Sequence, residues 1–189
     1  MTTEPTDAQL LAAHVGGDDR AFAILMERHA DRLWSIAIRV MNRPEDAADA
    51  LQDAMISAFR RAADFRGDAA VTTWLHRIVL NACFDRLRRI KVRAAEPLPE
   101  DTERSLRFAS ATDDPETAAV RSALAGEVIA ALQRIGPDQR AALVLVDLEG
   151  YSMDQAARIL GCAPGTVKSR CSRGRARLAV LLQHLNEGD

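Results

Sequence analysis

The residues best equipped for chemistry lie in one string, PGTVKSRCSRGRARL at 164–178. It carries Lys168, Arg170, Arg173, Arg175 and Arg177 and no acid. A guanidinium grips phosphate as a fork and can hold guanine in bidentate fashion, so nucleic acid is the ligand class these residues point to. On a helix turning about 100° per residue, Val167, Cys171, Gly174 and Leu178 share one narrow stripe, a packing face. Opposite lie Gly165, Thr166, Ser169, Ser172, Arg173 and Ala176, small or hydrogen-bonding groups with one arginine. Small residues let a helix enter a major groove closely. Lys168 and Arg175 edge one side of that face, Arg170 and Arg177 the other, where phosphates run.

A charge run alone is usually a solvated surface, so the context decides. Ser152 can cap a helix, and Gln155 three residues later completes a capping box. Met153, Ala156, Ala157, Ile159 and Leu160 supply a packing face, Gly161 lets the chain turn, and Pro164 fits the first turn of a second helix. A short helix, a glycine turn and a basic second helix make a helix-turn-helix at 152–178.

A second sorted helix runs from about Thr72 to Arg89. Leu75, Val79, Leu80, Cys83 and Leu87 form its packing face, and Trp74, Arg77, Ile78, Asn81, Asp85 and Arg88 the other. That outer stripe holds groups able to read base edges and stack on an unpaired base, although a lone Trp is more often core. The preceding loop, Phe65 to Ala70, is polar enough to be exposed and to hold an extruded base. A third helix, opened by Pro44, presents Asp46, Asp49, Gln52 and Asp53 away from an apolar face of Ala47, Ala48, Leu51, Met55, Ala58 and Phe59. An acidic stripe beside two DNA-binding patches would repel DNA, so a basic protein surface is its expected partner.

The elements that must position these groups are helices throughout. Asp7 is expected to cap a helix over 8–15, and Asp18 or Asp19 one running to about Asn42, with Phe22, Leu25, Met26, Leu33, Ile36, Ala37 and Val40 at helical spacing. Helices are also expected at about 116–134 and 138–148. No segment alternates with period two, so the fold class is all-α. Residues 96–118 hold seven acids, two arginines and three of the seven prolines, and read as a flexible linker. The expected domains are therefore 1–95 and 118–186, joined by 96–117. The formal net charge of −2 conceals this separation of basic patches from an acidic connector.

Other chemistries find little support. Cys83, Cys162 and Cys171 lack zinc-ligand spacing and read as small apolar residues in a reducing compartment. The four histidines form no motif with carboxylates or cysteines, and no phosphate-binding glycine loop is present. An enzyme, a metal site, a cofactor and a small-molecule substrate are thus not expected. No signal peptide and no stretch of about 20 apolar residues is visible, so a cytoplasmic location is expected.

The strings EDAADALQDAMISAFR, FRGDAAVTTWLHRIVLNACFDRLRR and GYSMDQAARILGCAPGTVKSRCSRGRARL together resemble the extracytoplasmic-function sigma factors of bacterial RNA polymerase, nearest in pattern to the actinobacterial sigma-M type. The resemblance implies that Asp49, Gln52 and Asp53 dock on the β′ clamp helices of core RNA polymerase. It places Trp74, Asn81, Asp85 and Arg88 in the element that melts and reads the −10 promoter region. It makes the second helix of the helix-turn-helix the −35 reader, with Thr166, Lys168, Ser169, Arg170, Arg173 and Arg177 on promoter DNA. It also implies contact with the β subunit, a linker threading toward the polymerase active-site cleft, and control by an anti-sigma factor, often membrane-anchored. Some positions depart from the pattern. Met55 stands where Phe is common, Cys171 and Gly174 stand where Leu and Ala are usual, and Thr72-Thr73 lacks an aromatic. Gly174 is expected to loosen the end of its helix. The rival reading is a stand-alone helix-turn-helix regulator, which would bind its operator tightly without polymerase and have no use for the acidic stripe.

Overall fold

The computed structural model describes residues 4–94 and 125–183. The expected linker at 96–117 and the start of the helix expected at 116–134 lie outside the described residues. The chain divides into two compact units, the first built on residues up to Arg89 and the second on most of the chain from Ile90 onward. Among the described residues every regular element is a helix. None is long and apolar enough to cross a membrane.

The first unit contains α1 (Asp7–Val15), α2 (Asp19–Val40), α3 (Pro44–Arg61), a 3-10 turn (Ala62–Asp64) and α4 (Val71–Ala94). Thr6, not Asp7, caps α1, through a capping box with Gln9. Asp7 is drawn instead to Arg28 and His29 of α2, each 2.7 Å away. Asp18 caps α2 by accepting the Arg20 and Ala21 N–H groups. All seven apolar positions expected along α2 are buried.

Pro44 opens α3, as its fixed φ favours. Its buried row is Ala47, Ala50, Ala54 and Ala58, not the wider face expected. Ala48 is exposed, while Met55 and Phe59 are 37% and 44% exposed. Alanines spaced by three and four residues present a row of small side chains inward, which leaves the bulkier residues at the edges. Phe59 still packs edge-on against Phe22 and beside the His14 ring, with centroids 5.2 and 4.4 Å apart. α4 buries Val71, Leu75, His76, Ile78, Val79, Leu80 and Cys83, while Leu87 is half-buried. Ile78 was expected on the outer stripe; at 7% exposure it is core, because the buried arc of α4 is wider than one narrow stripe. Burial lowers the His76 pKa to about 4, with Arg32 and His29 adding to the effect.

The second unit begins with α5 (125–133). It continues with α6 (Pro137–Leu143), which runs into a π-helical turn (Val144–Leu148), then α7 (Met153–Leu160) and α8 (Pro164–Leu181). Arg140, 2% exposed, donates to the carbonyls of Gln133 and Ile135 at 2.8 and 3.0 Å and ties down the end of α5. Burial lowers its pKa to about 10, so it remains a cation at neutral pH. Gly174 does not loosen α8, which continues unbroken past it to Leu181. It is buried against Leu143 of α6, at a separation that leaves no room for a β-carbon.

Candidate nucleic-acid interface

The turn between α7 and α8 is held by local chemistry. The Ser152 N–H donates to Gln155 Oε1 at 2.9 Å, and the Gln155 N–H to Ser152 Oγ at 3.2 Å, which closes the capping box. Gly161 takes φ +63, a left-handed conformation that suits glycine, and the chain reverses into Pro164. Val167 and Cys171, both fully buried, seat α8.

On the outer side of α8 the expected readers form a connected row. Ser169 Oγ donates to the Thr166 carbonyl at 2.9 Å. Arg173 donates through Nε to the Ser169 carbonyl at 3.3 Å and through Nη2 to Ser169 Oγ at 3.4 Å. Ser169 and Arg173 are exposed, and Thr166 is half-buried. Tethering to Ser169 restricts the Arg173 side chain before any ligand arrives, which lowers the entropy cost of using it.

The five cations divide. Arg170 turns inward, 3.2 Å from Asp138 and with Nη1 3.7 Å from Cys162 Sγ. Arg175 lies fork-to-fork on Asp147 at 2.6 and 3.0 Å, and this pairing raises its pKa. Lys168, Arg173 and Arg177 are exposed and have no carboxylate partner among the described residues. The outward cationic face is therefore narrower than the sequence count of five.

In the first unit, Asn81, Asp85 and Arg88 line one groove between α3 and α4, of about 570 Å³. Its floor includes Ile56, Ile78 and Ala82, and Arg60, Arg61, Arg89 and Asp53 complete its rim. Asp85 and Arg88 form an ion pair with each other, one turn apart on α4. Trp74 is not among the residues lining the groove. It is half-buried, with its ring edge-on to Phe65 at 5.5 Å, beside the exposed loop that Gly67 turns at φ +76.

The acidic stripe of α3 meets arginines of α4. Arg86 reaches Asp46 at 2.8 Å and Asp49 at 2.6 Å, and Arg89 reaches Asp53 at 3.5 Å. Gln52 is exposed between them. These pairs were not foreseen from the sequence, nor were Arg60 and Arg61 at the groove. The sequence signal was limited to opposite charges, acids at 46, 49 and 53 and arginines at 86 and 89, whose spacings do not match one to one. All three cysteines are free, and burial pushes the Cys83 thiol up to about 12. Among the described residues no cluster of His, Cys, Asp and Glu could hold a metal ion.

Residues 25–93 match the family described as Sigma-70 region 2, and residues 125–178 match Sigma-70 region 4. Over 185 residues the chain is 53% identical to the ECF RNA polymerase sigma factor SigM of Mycobacterium tuberculosis H37Rv, which covers 98% of this chain and 89% of that one. The chain belongs to the extracytoplasmic-function family of RNA polymerase sigma factors. This sigma factor is also 30% identical to the ECF RNA polymerase sigma-E factor of Escherichia coli K12 over 189 residues, covering 98% of each chain. Among solved structures it is similar to the sigma factor RpoE in complex with the anti-sigma factor NepR from Bartonella quintana, with 27% identity, a TM-score of 0.68, and 86% of this chain and 96% of that one covered. It is likewise similar to CnrH in complex with the cytosolic domain of CnrY, with 29% identity, a TM-score of 0.68, and 95% and 99% covered. The α3–α4 groove of the sigma factor lies in its region 2 and the basic helix α8 in its region 4.

Proposed function

We propose that this sigma factor binds bacterial core RNA polymerase and directs it to promoters with −35 and −10 elements. Asp49, Gln52 and Asp53 on α3 dock on the β′ clamp helices, and the β subunit supplies further contact. Asn81, Asp85 and Arg88 in the α3–α4 groove, with Trp74 beside the Phe65–Ala70 loop, hold unpaired −10 bases. Thr166, Ser169 and Arg173 read the −35 major groove, Lys168 and Arg177 hold its phosphates, and Arg170 braces α8 from the inner side of the same contact.

The observation that carries this reading is the pairing in one chain of a region 2 with an exposed acid-lined helix and a region 4 with an open Thr166–Ser169–Arg173 row. Phosphodiester chemistry belongs to the polymerase, so the sigma factor itself is not an enzyme. Its site of action is the cytoplasm. An anti-sigma factor, membrane-anchored in many family members, holds it until a stress signal; the neighbour RpoE, solved in complex with the anti-sigma factor NepR, supports this.

Run-off transcription with purified core polymerase and a candidate promoter tests the proposal. Transcripts are expected only when sigma factor, core and intact −35 and −10 elements are all present. Tight operator binding without core, and no binding to core, would instead favour a stand-alone regulator.

A further inference from the structure

We propose that Arg86 is a positioning residue for polymerase docking: it fixes the Asp49 carboxylate by bridging it to Asp46. The proposal rests on the reading of α3 as the docking helix.

Three observations carry it. First, Arg86 uses different nitrogens for its two partners, Nε on Asp46 Oδ1 at 2.8 Å and Nη2 on Asp49 Oδ2 at 2.6 Å. A planar guanidinium holding two carboxylates leaves little rotational freedom in any of the three side chains. Second, exposure falls across the bridge. Asp49 is 54% exposed, Arg86 24% and Asp46 15%, so Asp46 is the anchor, Arg86 the strut and Asp49 the presented group. Third, Asp49 stays more than half exposed while it holds Arg86, which leaves the carboxylate open to a cation on a partner. A carboxylate already restrained loses less entropy on binding than a free one. Because the strut stands on α4, the docking helix and the helix facing the groove are joined at this point.

The alternative is that Arg86 merely neutralises Asp49 and competes with the partner. The two predict opposite signs. Labelled full-length sigma factor titrated with purified bacterial core RNA polymerase measures the affinity by fluorescence anisotropy. Asp49→Asn should weaken binding. Arg86→Gln should weaken it about three- to tenfold, the entropy of one immobilised side chain. The double variant should bind no more weakly than Asp49→Asn alone, because Arg86 acts through Asp49.

Unchanged or tighter binding by Arg86→Gln, with Asp49→Asn still weakened, would overturn the positioning role and leave the docking reading intact. Losses that add in the double variant would overturn it too, since Arg86 would then act independently of Asp49. If Asp49→Asn binds as the parent does, the docking reading itself falls. Should Arg86→Gln fail to fold, Asp46→Asn removes the anchor and is read in the same way: weaker binding alone, and no added loss beside Asp49→Asn, supports the bridge, and any other result overturns it.

Discussion

Leu143 fills the space that a β-carbon on residue 174 would need, with its Cδ1 2.7 Å and its Cγ 3.1 Å from that position. Both residues are buried. Gly174→Ala would recover about 1 kcal/mol of helix propensity. It would also force Leu143 aside in a packed interior, an overpacking cost of about 1–3 kcal/mol. The net expectation is a loss of stability up to about 2 kcal/mol, measured by denaturant unfolding. Leu143→Ala is costly alone, but the double variant with Gly174→Ala should lose less than the sum of the two single losses. A Gly174→Ala protein more stable than the parent would show that Leu143 yields freely.

His76 makes stability depend on acidity. Its folded-state pKa of about 4 lies below the ordinary 6.5, so the unfolded chain takes up this proton first as pH falls. The stability held by neutral His76 is complete above about pH 6.5 and is lost as pH drops toward 4, on the order of 3 kcal/mol over that window. Unfolding midpoints across this range should fall steeply in the parent and less so in His76→Gln. Equal slopes would refute the assignment to His76.

The three thiols should differ in reactivity. Cys83 and Cys171 are fully buried, and burial raises both pKa values, whereas Cys162 is half-exposed in the turn before α8. Thiolates react and buried thiols do not. Alkylation of the native protein followed by mass spectrometry should give one rapidly modified site, Cys162, with the others labelled only after unfolding. Rapid labelling of Cys83 would contradict the packing of α4.

Arg170 and Arg173 should fail differently when truncated. Arg173→Ala should reduce transcription at promoters with a matched −35 element by about 1–3 kcal/mol of recognition, about 5- to 150-fold, and much less where that element is scrambled. Arg170 faces Asp138 and Cys162, so Arg170→Ala should lower the unfolding midpoint slightly, by about 1 kcal/mol or less for a partly exposed pair. Its effect on transcription should be the same at both promoters. Run-off assays on the two templates separate the cases.

The helices of this protein were legible wherever a periodic apolar face met a capping signal. α2, the α7 capping box and the Pro164 start of α8 all appear where the residues place them. The errors fell where side-chain size or a distant partner decides. Asp7 reads as a cap because caps are local, but Arg28 and His29 lie 21 and 22 residues away and claim its carboxylate. Ile78 and the alanine row of α3 were misjudged because helical period alone gives the direction of a buried face, not its width. The acids of α3 read from the sequence as one exposed stripe, and Arg77 and Arg88 as part of the outer face of α4. That Arg86 and Arg89 face those acids depends on how the helices pack, which a single sequence does not display. The same holds for Arg170 and Arg175, which look identical to Arg173 in composition and differ only in the carboxylates that α6 and the π turn set beside them.

The Asp7 attachment of α1 to α2 bears on where the molecule can be cut for laboratory use. The region 2 match begins at residue 25, partway along α2. A recombinant fragment trimmed to that boundary would lose the Asp18 cap, the first turn of α2, and the whole of α1 with its buried Leu10 and Leu11. Arg28 and His29 would be left without Asp7, and Arg28 without the Pro5 carbonyl at 3.0 Å. A soluble, crystallisable region 2 fragment should therefore start at or before Pro5, about twenty residues upstream of the homology boundary.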